Sequence, residues 1–322
     1  MSAARQVLAL TGGVGGAKLA LGLQRILPPH ALTVAVNTGD DFEHLGLAIS
    51  PDLDTTLYTL AGLADPEQGW GRARETWTFM EELARFSEET WFRLGDKDLA
   101  LHIERTRRLA AGEPLEFITQ EFGSRLGVAT QVLPMTNDRV RTIIHTQEGP
   151  LPFQEYFVRR QCAPAVTAIR YEGAESASAT TSTKDLVRHA DLIAIVICPS
   201  NPYLSIAPLL AIPQWRALLA AAQVPVIAVS PLIGNQAIKG PTVKIMRELG
   251  LDASPVTIAR QYGELLDGFV LDRADAHLAR DIEMPTFLAP LLMLTLEAKE
   301  RLAREVLRFA QSLRRPQYRS AS

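Results

Sequence analysis

The sequence predicts an α/β fold, a Rossmann-like and mostly parallel sheet flanked by helices. Three observations lead to this prediction. Apolar runs of strand length alternate with stretches of helical periodicity. The run at 192–198 is apolar throughout, which is typical of a strand buried on both faces. The turn TGGVGG joins the first strand pattern to the first helix pattern, and a parallel βαβ unit begins in this way.

The N-terminal elements follow that scheme. Residues 7–10 are apolar, residues 17–27 have helical spacing that stops at Pro28-Pro29, and the run at 32–36 is rich in β-branched residues. Residues 54–126 have almost no strand signal, so we expect a helical insertion that covers part of the site, with helices near 54–64, 71–86, 98–111 and 114–126.

The C-terminal elements complete the sheet. Residues 128–133 and 140–146 predict two strands joined by a turn, residues 165–171 a further strand, and residues 182–190 a helix capped by Ser182. The second α/β stretch has strands at 192–198, 224–229 and 269–271, a helical region at 204–222 and a final helix at 295–313. No linker or repeat interrupts residues 1–322, so we expect a single domain.

Composition excludes several classes of protein. A formal charge of −3 over 322 residues, with 47% hydrophobic residues, argues against global disorder and against a dedicated nucleic-acid binder. The longest apolar runs are far shorter than the roughly 20 residues that span a bilayer. No signal-peptide pattern is seen, and the two cysteines form neither a disulfide framework nor a metal pair. We expect a cytoplasmic protein with no membrane or nucleic-acid partner.

The glycine-rich turn is the first candidate site. Backbone N–H groups at the start of a helix attract phosphate, so Thr11, Gly12, Gly13, Gly15, Gly16 and Lys18 are candidate nucleotide ligands. The turn is not a Walker A loop, because Ala17 and Leu19 replace the required residues, and it is not G-x-G-x-x-G. The simpler interpretation is a tight turn between strand and helix.

Acidic residues follow the second strand. Asp40 and Asp41 come directly after a buried run, where carboxylates beside a phosphate suit Mg²⁺, so we expect Mg²⁺ as the cofactor there. Asp52 and Asp54 come shortly afterwards. Either one is a candidate helix N-cap, and either carboxylate can also serve the reaction, for instance by accepting a proton.

Two further polar turns end later strands. Their candidate nucleotide ligands are Ser200, Asn201, Ser230, Asn235, Lys239 and Gly240. Because ligands of open parallel sheets bind outside the carboxyl ends of the strands, we expect all four turns to converge on one crevice. Ordinary turn chemistry is the alternative for each of them.

Seven stretches together resemble the 2-phospho-L-lactate transferase (CofD) family of coenzyme F-420 biosynthesis. They are TGGVGGAKLALGL (11–23), VNTGDDFEHLGLAISPDLDTTLYTLAGL (36–63), RLGDKDLALHIERTRRL (93–109), LPMTNDRVRT (133–142), FQEYFVRR (153–160), CPSNPYLSIAPLLAIP (198–213) and AVSPLIGNQAIKGPTVKIM (228–246). One departure is Thr136-Asn137-Asp138 in place of Ser-Asp-Asp, which weakens any role for a carboxylate at position 137.

This resemblance implies a transferase that uses a GDP-linked three-carbon acid. The ribityl hydroxyl of the deazariboflavin Fo would attack the phosphorus that bears the acid, and GMP would leave with the assistance of Mg²⁺. Asp54, as the catalytic residue, and Arg93 would contact Fo. The guanine nucleotide would lie on 11–18, 199–202 and 230–240.

Other possibilities stay open at this point. A related branch with the same fold is associated with nucleotide-sugar binding and regulation, and a nicotinamide dehydrogenase is disfavoured by the failed G-x-G-x-x-G pattern. The sequence leaves open whether the donor carries phospholactate, phosphoenolpyruvate or 3-phosphoglycerate. A homodimer is the default assembly.

Overall fold

The computed structural model describes residues 5–67, 69–234, 236–237 and 240–313. Within these ranges the strands, in chain order, are β1 (Gln6–Thr11), β2 (Leu32–Val36), β3 (Phe42–His44), β4 (Leu47–Ile49), β5 (Gln131–Pro134), β6 (Arg141–Thr146), β7 (Gly149–Pro152), β8 (Val166–Glu172), β9 (Leu192–Ile197), β10 (Val226–Val229), β11 (Leu232–Ile233), β12 (Gln236–Ala237), β13 (Gly268–Asp272) and β14 (Thr286–Ala289).

The described helices surround these strands. In chain order the α-helices are α1 (Gly13–Ile26), α2 (Pro51–Leu60), α3 (Thr78–Leu83), α4 (Asp96–Ala110), α5 (Leu115–Arg125), α6 (Thr181–Val187), α7 (Ala207–Leu210), α8 (Pro213–Ala221), α9 (Thr242–Glu248), α10 (Pro255–Tyr262) and α11 (Leu296–Ser312). Two π-helical turns, Glu155–Arg159 and Pro202–Ile206, and two 3₁₀ segments, Gly263–Leu265 and Arg273–Asp281, complete the description.

The central sheet has seven strands in the order β14-β13-β10-β9-β1-β2-β5, and every pair of neighbours is parallel. This arrangement confirms the predicted Rossmann-like α/β fold. The chain builds outward from β1 in one direction through β2 and β5, then in the other through β9 and β10. The strand order therefore reverses between β1 and β9, and the crevice at such a point is where ligands of this architecture bind.

Alternation along the buried strands supplies two hydrophobic cores, one on each face of the sheet. In β1, Val7 and Ala9 pack on the face that carries α1, α2 and α11. Leu8 and Leu10 pack on the opposite face, in the cluster that contains Trp215. Both faces of these strands are covered by apolar residues, and this explains why the strands read as continuous apolar runs.

The insertion at 54–126 is mostly helical, as predicted, although its helices are shorter than expected in places. The predicted helix at 71–86 reduces to α3, whereas α4 and α5 lie close to their predicted bounds. Leu57 of α2 and Phe122 of α5 join the core cluster of α1. The insertion is thus part of one helical layer and does not stand apart from the sheet.

The two strands predicted near 128–133 and 140–146 are present as β5 and β6, but they lie in different sheets. β5 joins the central sheet beside β2, while β6 pairs antiparallel with β7 and β8 in a separate three-stranded sheet. One local prediction, a helix cap, was wrong. The helix expected at 182–190 begins at Thr181, and its N-cap is Thr180, whose side chain accepts a hydrogen bond from the N–H of Thr183.

In the described part of the chain, no single helix is long and apolar enough to cross a membrane. One pair, Pro202–Leu210 with Pro213–Ala221, passes by length and composition only, and it is bent by 84°.

Candidate active site

The candidate site lies at the reversal of strand order, where the turns after β1, β2 and β9 meet. The turn after β9 is also linked to the start of α9, beyond β10, because Asn201 Nδ2 donates to Thr242 Oγ1 at 3.0 Å. The turns after β1 and β9 contact each other directly. The backbone N–H of Gly12 donates to Ser200 Oγ at 3.2 Å, and Thr11 Oγ1 lies 3.4 Å from the same oxygen. The turn after β2 is tied to the π-helical turn beyond β9, because Asn37 Nδ2 donates to the carbonyl of Leu204 at 3.3 Å.

Packing against neighbouring turns explains why the first turn is rich in glycine. A Cβ atom at Gly12 would lie 2.5 Å from Asp52 Oδ2, and one at Gly15 would lie 2.6 Å from the carbonyl oxygen of Pro199. At Gly16 it would lie 1.8 Å from Thr11 Oγ1, while Gly13 has a φ of +65°, which favours glycine. These contacts account for the glycines without a ligand. They also bring the start of α1 close to the turn after β9.

The carboxylate of Asp52 already occupies part of the N-terminus of α1. Asp52 accepts a hydrogen bond from the backbone N–H of Gly13, so a carboxylate lies at the positive end of the helix dipole. The N-cap of α1 is Gly12, which has no side chain to cap the helix. Lys18 lies in the second turn of α1 and is half-buried.

Asp40, Asp41 and Asp52 form a buried acidic cluster. Asn37 Nδ2 donates to Asp40 Oδ1 at 2.9 Å and to Asp52 Oδ2 at 3.0 Å. Ser50 Oγ donates to Asp41 Oδ2 at 2.8 Å. Asn37 therefore links the turn after β2 to the first turn of α2, and the cluster begins beside Gly13.

The electrostatic cost of this cluster appears in the pKa values of its carboxyl groups. Burial, followed by the charges of Asp52 and Asp41, raises the pKa of Asp40 well above its usual value. Burial raises the pKa of Asp41 to about 7 and that of Asp52 to about 6, although hydrogen bonds oppose both shifts. A cation beside these carboxylates would stabilise their ionised forms.

The acidic cluster offers Mg²⁺ a free carboxylate oxygen. Asp41 Oδ1 is buried and has no hydrogen-bond partner among the described residues, so one carboxylate oxygen is left for a ligand. No group of three or more His, Cys, Asp and Glu side chains in the described ranges is arranged to hold a metal ion. Mg²⁺ commonly takes only one or two carboxylates and completes its shell with phosphate and water.

Asp54 is neither a helix cap nor an exposed carboxylate. The helix α2 begins at Pro51 with Ser50 as its N-cap, so the expectation that Asp52 or Asp54 caps a helix starting near Thr55 is wrong. Asp54 is buried in a two-pronged ion pair with the guanidinium of Arg105, whose Nη1 donates to Asp54 Oδ2 at 3.1 Å while Nη2 donates to Oδ1. His102 Nδ1 lies 3.7 Å from Asp54 Oδ2.

Arg93, the other residue expected at the acceptor, lies over an aromatic ring. Its guanidinium carbon is 4.0 Å from the centroid of the Trp77 ring, a cation–π contact that attracts the cation to the ring face. Arg93 is exposed and forms no ion pair with any described residue. The same region holds a cluster of aromatic rings, Phe42, His44, Trp91 and Phe92.

The later turns behave partly as ordinary turns. Asn201 Oδ1 accepts from the N–H groups of Tyr203 and Leu204, and Ser230 Oγ hydrogen-bonds to both backbone groups of Leu232. Gly240 has a φ of +76°, and a Cβ added there would meet no described residue within 4 Å. Asn235 and Lys239 lie outside the described residues.

Sequence reasoning missed three residues of this region, Asn37, Arg105 and Ser205. Asn37 directly follows a buried strand, like the aspartates beside it, and that position was a usable signal. Arg105 is one of several arginines in a helix with a charged face, so only the tertiary contact to Asp54 distinguishes it. Ser205, whose side chain lies against Gly12, gives no signal in the sequence.

Comparison with known proteins identifies the family. The family model "2-phospho-L-lactate transferase CofD" matches residues 7–286. The chain belongs to the CofD family. It is 38% identical to the phosphoenolpyruvate transferase of Streptomyces avermitilis over 97% of this chain and 100% of that protein. It is also 38% identical to the phosphoenolpyruvate transferase of Mycobacterium marinum over 94% of this chain and 97% of that protein.

A solved structure agrees on the fold. A UPF0052 family protein from Bacillus halodurans matches with a TM-score of 0.60 at 13% identity, over 94% of this chain and 99% of that one. Identity at this level shows the shared fold alone. The CofD family model and the similar transferases make this chain a transferase of the CofD type.

Proposed function

We propose that this CofD-family protein transfers a phosphoenolpyruvyl group from a GDP-linked donor to the ribityl hydroxyl of Fo, with release of GMP, in coenzyme F-420 biosynthesis. The names of the similar transferases favour phosphoenolpyruvate over the other two acids. The observation that carries the proposal is the buried acidic cluster beside the N-terminus of α1, at the reversal of strand order. Carboxylates in that place suit a metal-assisted reaction of a diphosphate.

The reaction balances as a single displacement. The hydroxyl oxygen of Fo forms a bond to the phosphorus that bears the acid, and the bond from that phosphorus to the bridging oxygen of GMP breaks. GMP leaves with the electron pair, and the hydroxyl proton passes to a base or to water. Such a reaction depends mainly on positioning and on neutralising charge, so it requires no covalent nucleophile.

The roles of the residues follow from their positions. In this proposal the diphosphate contacts the N–H groups at the start of α1 and the turns that carry Ser200 and Ser230. Asp40 and Asp41 hold Mg²⁺, which when bound neutralises charge on the phosphate oxygens. Asp54, fixed by Arg105, orients the acceptor hydroxyl, and Arg93 contacts the acceptor.

The test is a transfer assay with three donors. Purified protein is mixed with Fo, Mg²⁺ and GDP linked to phosphoenolpyruvate, phospholactate or 3-phosphoglycerate, and the products are measured by mass spectrometry. We expect one GMP for each Fo product, fastest with the phosphoenolpyruvyl donor, and loss of turnover in EDTA. Asp41→Asn should reduce the rate at limiting Mg²⁺, whereas the control Asp185→Asn, an exposed residue on α6, should not.

Two outcomes would contradict the proposal. If the protein binds GDP but forms no Fo product with any donor, a nucleotide-binding regulator of the same fold becomes the better interpretation. If turnover is complete in EDTA, the role of Mg²⁺ is wrong.

We also propose a homodimer as the default assembly. Sedimentation of the same sample measures the oligomeric state and tests this proposal.

A further inference from the structure

One segment of the family resemblance, FQEYFVRR at 153–160, has no role in the site described so far. It contains the π-helical turn Glu155–Arg159, which is closed by a hydrogen bond from the N–H of Arg160 to the carbonyl of Glu155 at 2.8 Å. π-Helical turns are rare and are found frequently at functional sites. This turn is therefore a place to look for a further functional residue.

The start of the turn is fixed against the acidic cluster. Gln154, which precedes the turn, is buried, and its Nε2 donates to the carbonyl oxygen of Asp40 at 3.4 Å. Tyr156 is completely buried, and its hydroxyl lies 3.3 Å from Lys244 Nζ. The contact of Gln154 holds the start of the turn beside Asp40, to which we assign Mg²⁺, and the contact of Tyr156 joins the turn to α9.

The end of the turn reaches the aromatic cluster. The guanidinium carbon of Arg159 lies 5.9 Å from the centroid of the Trp91 ring. Trp91 contacts His44 and Phe42, with ring centroids 5.1 and 6.1 Å apart, and both residues belong to the hairpin strand β3 that follows Asp41. Arg159 therefore lies beside the aromatic cluster, at the end of a turn whose preceding residue, Gln154, contacts the acidic cluster.

The two neighbouring arginines of the segment differ in their partners. Arg160 is half-buried and forms an ion pair with Glu148. Arg159 is exposed and forms no ion pair with any carboxylate among the described residues. A guanidinium has five N–H donors in a fork that matches a carboxylate, and a cation–π contact fixes its plane without using those donors.

We propose that Arg159 binds the carboxylate of the donor's three-carbon acid and that Trp91 positions its guanidinium. This inference rests on the proposed transferase function, because it assigns a ligand within the same site. The acid is attached to the terminal phosphate, on the side away from guanosine, so its carboxylate must lie near the transferred phosphorus. Buried carboxylates repel a substrate carboxylate in that region, and a fixed cation offsets the repulsion.

The decisive test compares two donors of nearly the same shape that differ in one charged, hydrogen-bond-accepting group. One is the phosphoenolpyruvyl donor, and the other carries a carboxamide in place of the carboxylate. We expect the wild-type protein to prefer the carboxylate donor by about 10–100-fold in kcat/KM, as for the loss of a charged hydrogen-bonded pair. Arg159→Met should abolish this preference, and Arg159→Lys should restore part of it. The affinity for GDP, which lacks the carboxylate, should remain unchanged in calorimetric titration.

The neighbouring residue provides a matched control. Arg160→Met removes an equal charge from the next residue, at the C-cap of the turn, and should keep the wild-type preference between the donors. Trp91→Leu should reduce the preference without changing GDP affinity, whereas Trp91→Phe, which keeps an aromatic face, should retain more of it. A general loss of structure would not change the ratio between two donors in this pattern.

Other results would overturn the inference. If Arg159→Met still prefers the carboxylate donor as the wild type does, Arg159 does not bind the carboxylate. If the variant loses GDP affinity and slows both donors equally, Arg159 acts on phosphate instead. If the wild-type protein transfers from neither donor, the proposed function fails. In that case the affinities of the two donors, measured by calorimetric titration, test Arg159 separately. If the wild type and Arg159→Met bind the carboxylate donor more tightly than the carboxamide donor by the same factor, the role of Arg159 is wrong.

Discussion

At the scale of single residues, Asp54 shows how a tertiary contact changes the meaning of a side chain. The sequence places a carboxylate near the start of a helix, where a cap or a catalytic group is expected. It does not show that Arg105, 51 residues later, reaches back from α4 and holds both carboxylate oxygens. Because this pair is buried, each charge depends on the other for its solvation.

We therefore expect Asp54→Asn to affect both stability and transfer. Removing one partner of a buried ion pair typically costs about 3–5 kcal/mol, since the other charge is left uncompensated. The melting temperature should fall, and transfer to Fo should slow because the carboxylate that orients the hydroxyl is lost. Thermal unfolding with and without Arg105→Gln measures the coupling of the two residues. If Asp54→Asn lowers stability by the same amount in the wild type and in Arg105→Gln, the two residues do not interact.

At the scale of elements, the glycine turn and α1 were easier to predict than their contacts. The apolar runs of β1, β2, β9 and β10 revealed the strands, because a strand buried on both faces is apolar at every position. The Gly-rich turn showed where the first helix begins. The sequence did not distinguish a turn packed on Pro199, Asp52 and Ser205 from one that is open to a phosphate, since glycine serves both purposes.

The partners of the strands near 128–133 and 140–146 were harder to predict than the strands themselves. Residues near 128–133 and 140–146 read as two strands around a turn, and a hairpin satisfies that pattern. The partner of β5 is instead β2, almost a hundred residues earlier in the chain, with Thr33 opposite Gln131. Pairing between strands so far apart in the sequence leaves no local sequence signal. The partner of β5 is decided in the folded chain, where β2 offers an open edge of the central sheet.

The packing of the turn gives an element-scale prediction. Gly15→Ala should lower the melting temperature, because its Cβ would meet the carbonyl oxygen of Pro199 at 2.6 Å and the backbone there must move. Overpacking of this kind typically costs about 1–3 kcal/mol. GDP affinity should fall as well, since α1 and the turn after β9 would separate.

A second helical glycine serves as the control. At Gly123 in α5 a Cβ would lie 3.4 Å from Leu57 Cδ2, which is ordinary van der Waals contact. Gly123→Ala should therefore be neutral or stabilising by up to about 1 kcal/mol. If Gly15→Ala melts at the wild-type temperature and binds GDP normally, the close approach to Pro199 does not constrain the turn.

At the scale of the whole molecule, the helical insertion is joined to the sheet by polar contacts as well as apolar ones. Tyr58 of α2 donates to Asp98 Oδ1 of α4 at 2.5 Å, and Asp54 of α2 meets Arg105 and His102 of α4. Since Leu53 and Leu57 of α2 pack in the main core, α4 is anchored to that core through these charged groups. Protonation of a group in this network should therefore change the free energy of unfolding of the entire chain.

The pH dependence of stability tests this coupling through His102. Burial, with Arg105 adding to it and Asp54 opposing it, lowers the pKa of His102 from 6.5 to about 4. The folded protein thus keeps this ring neutral while the unfolded chain takes up a proton, so the contribution of His102 is fully present above pH 6.5 and is lost as pH falls toward 4. Between pH 8 and pH 5 the loss should be on the order of 2 kcal/mol.

Comparison with His102→Gln isolates this term from the raised carboxyl groups, whose effect has the opposite sign. Burial raises the pKa of Asp98 to about 6 and that of Asp41 to about 7, so those groups favour the folded state at lower pH. They remain in the variant and cancel in the difference. Denaturant unfolding at pH 8 and pH 5 should show the wild type losing more stability than His102→Gln, whereas His277→Gln, at an exposed histidine, should follow the wild type. A constant difference between wild type and His102→Gln across that range would mean that His102 titrates alike in both states, and that the contact between α2 and α4 does not respond to pH through this ring.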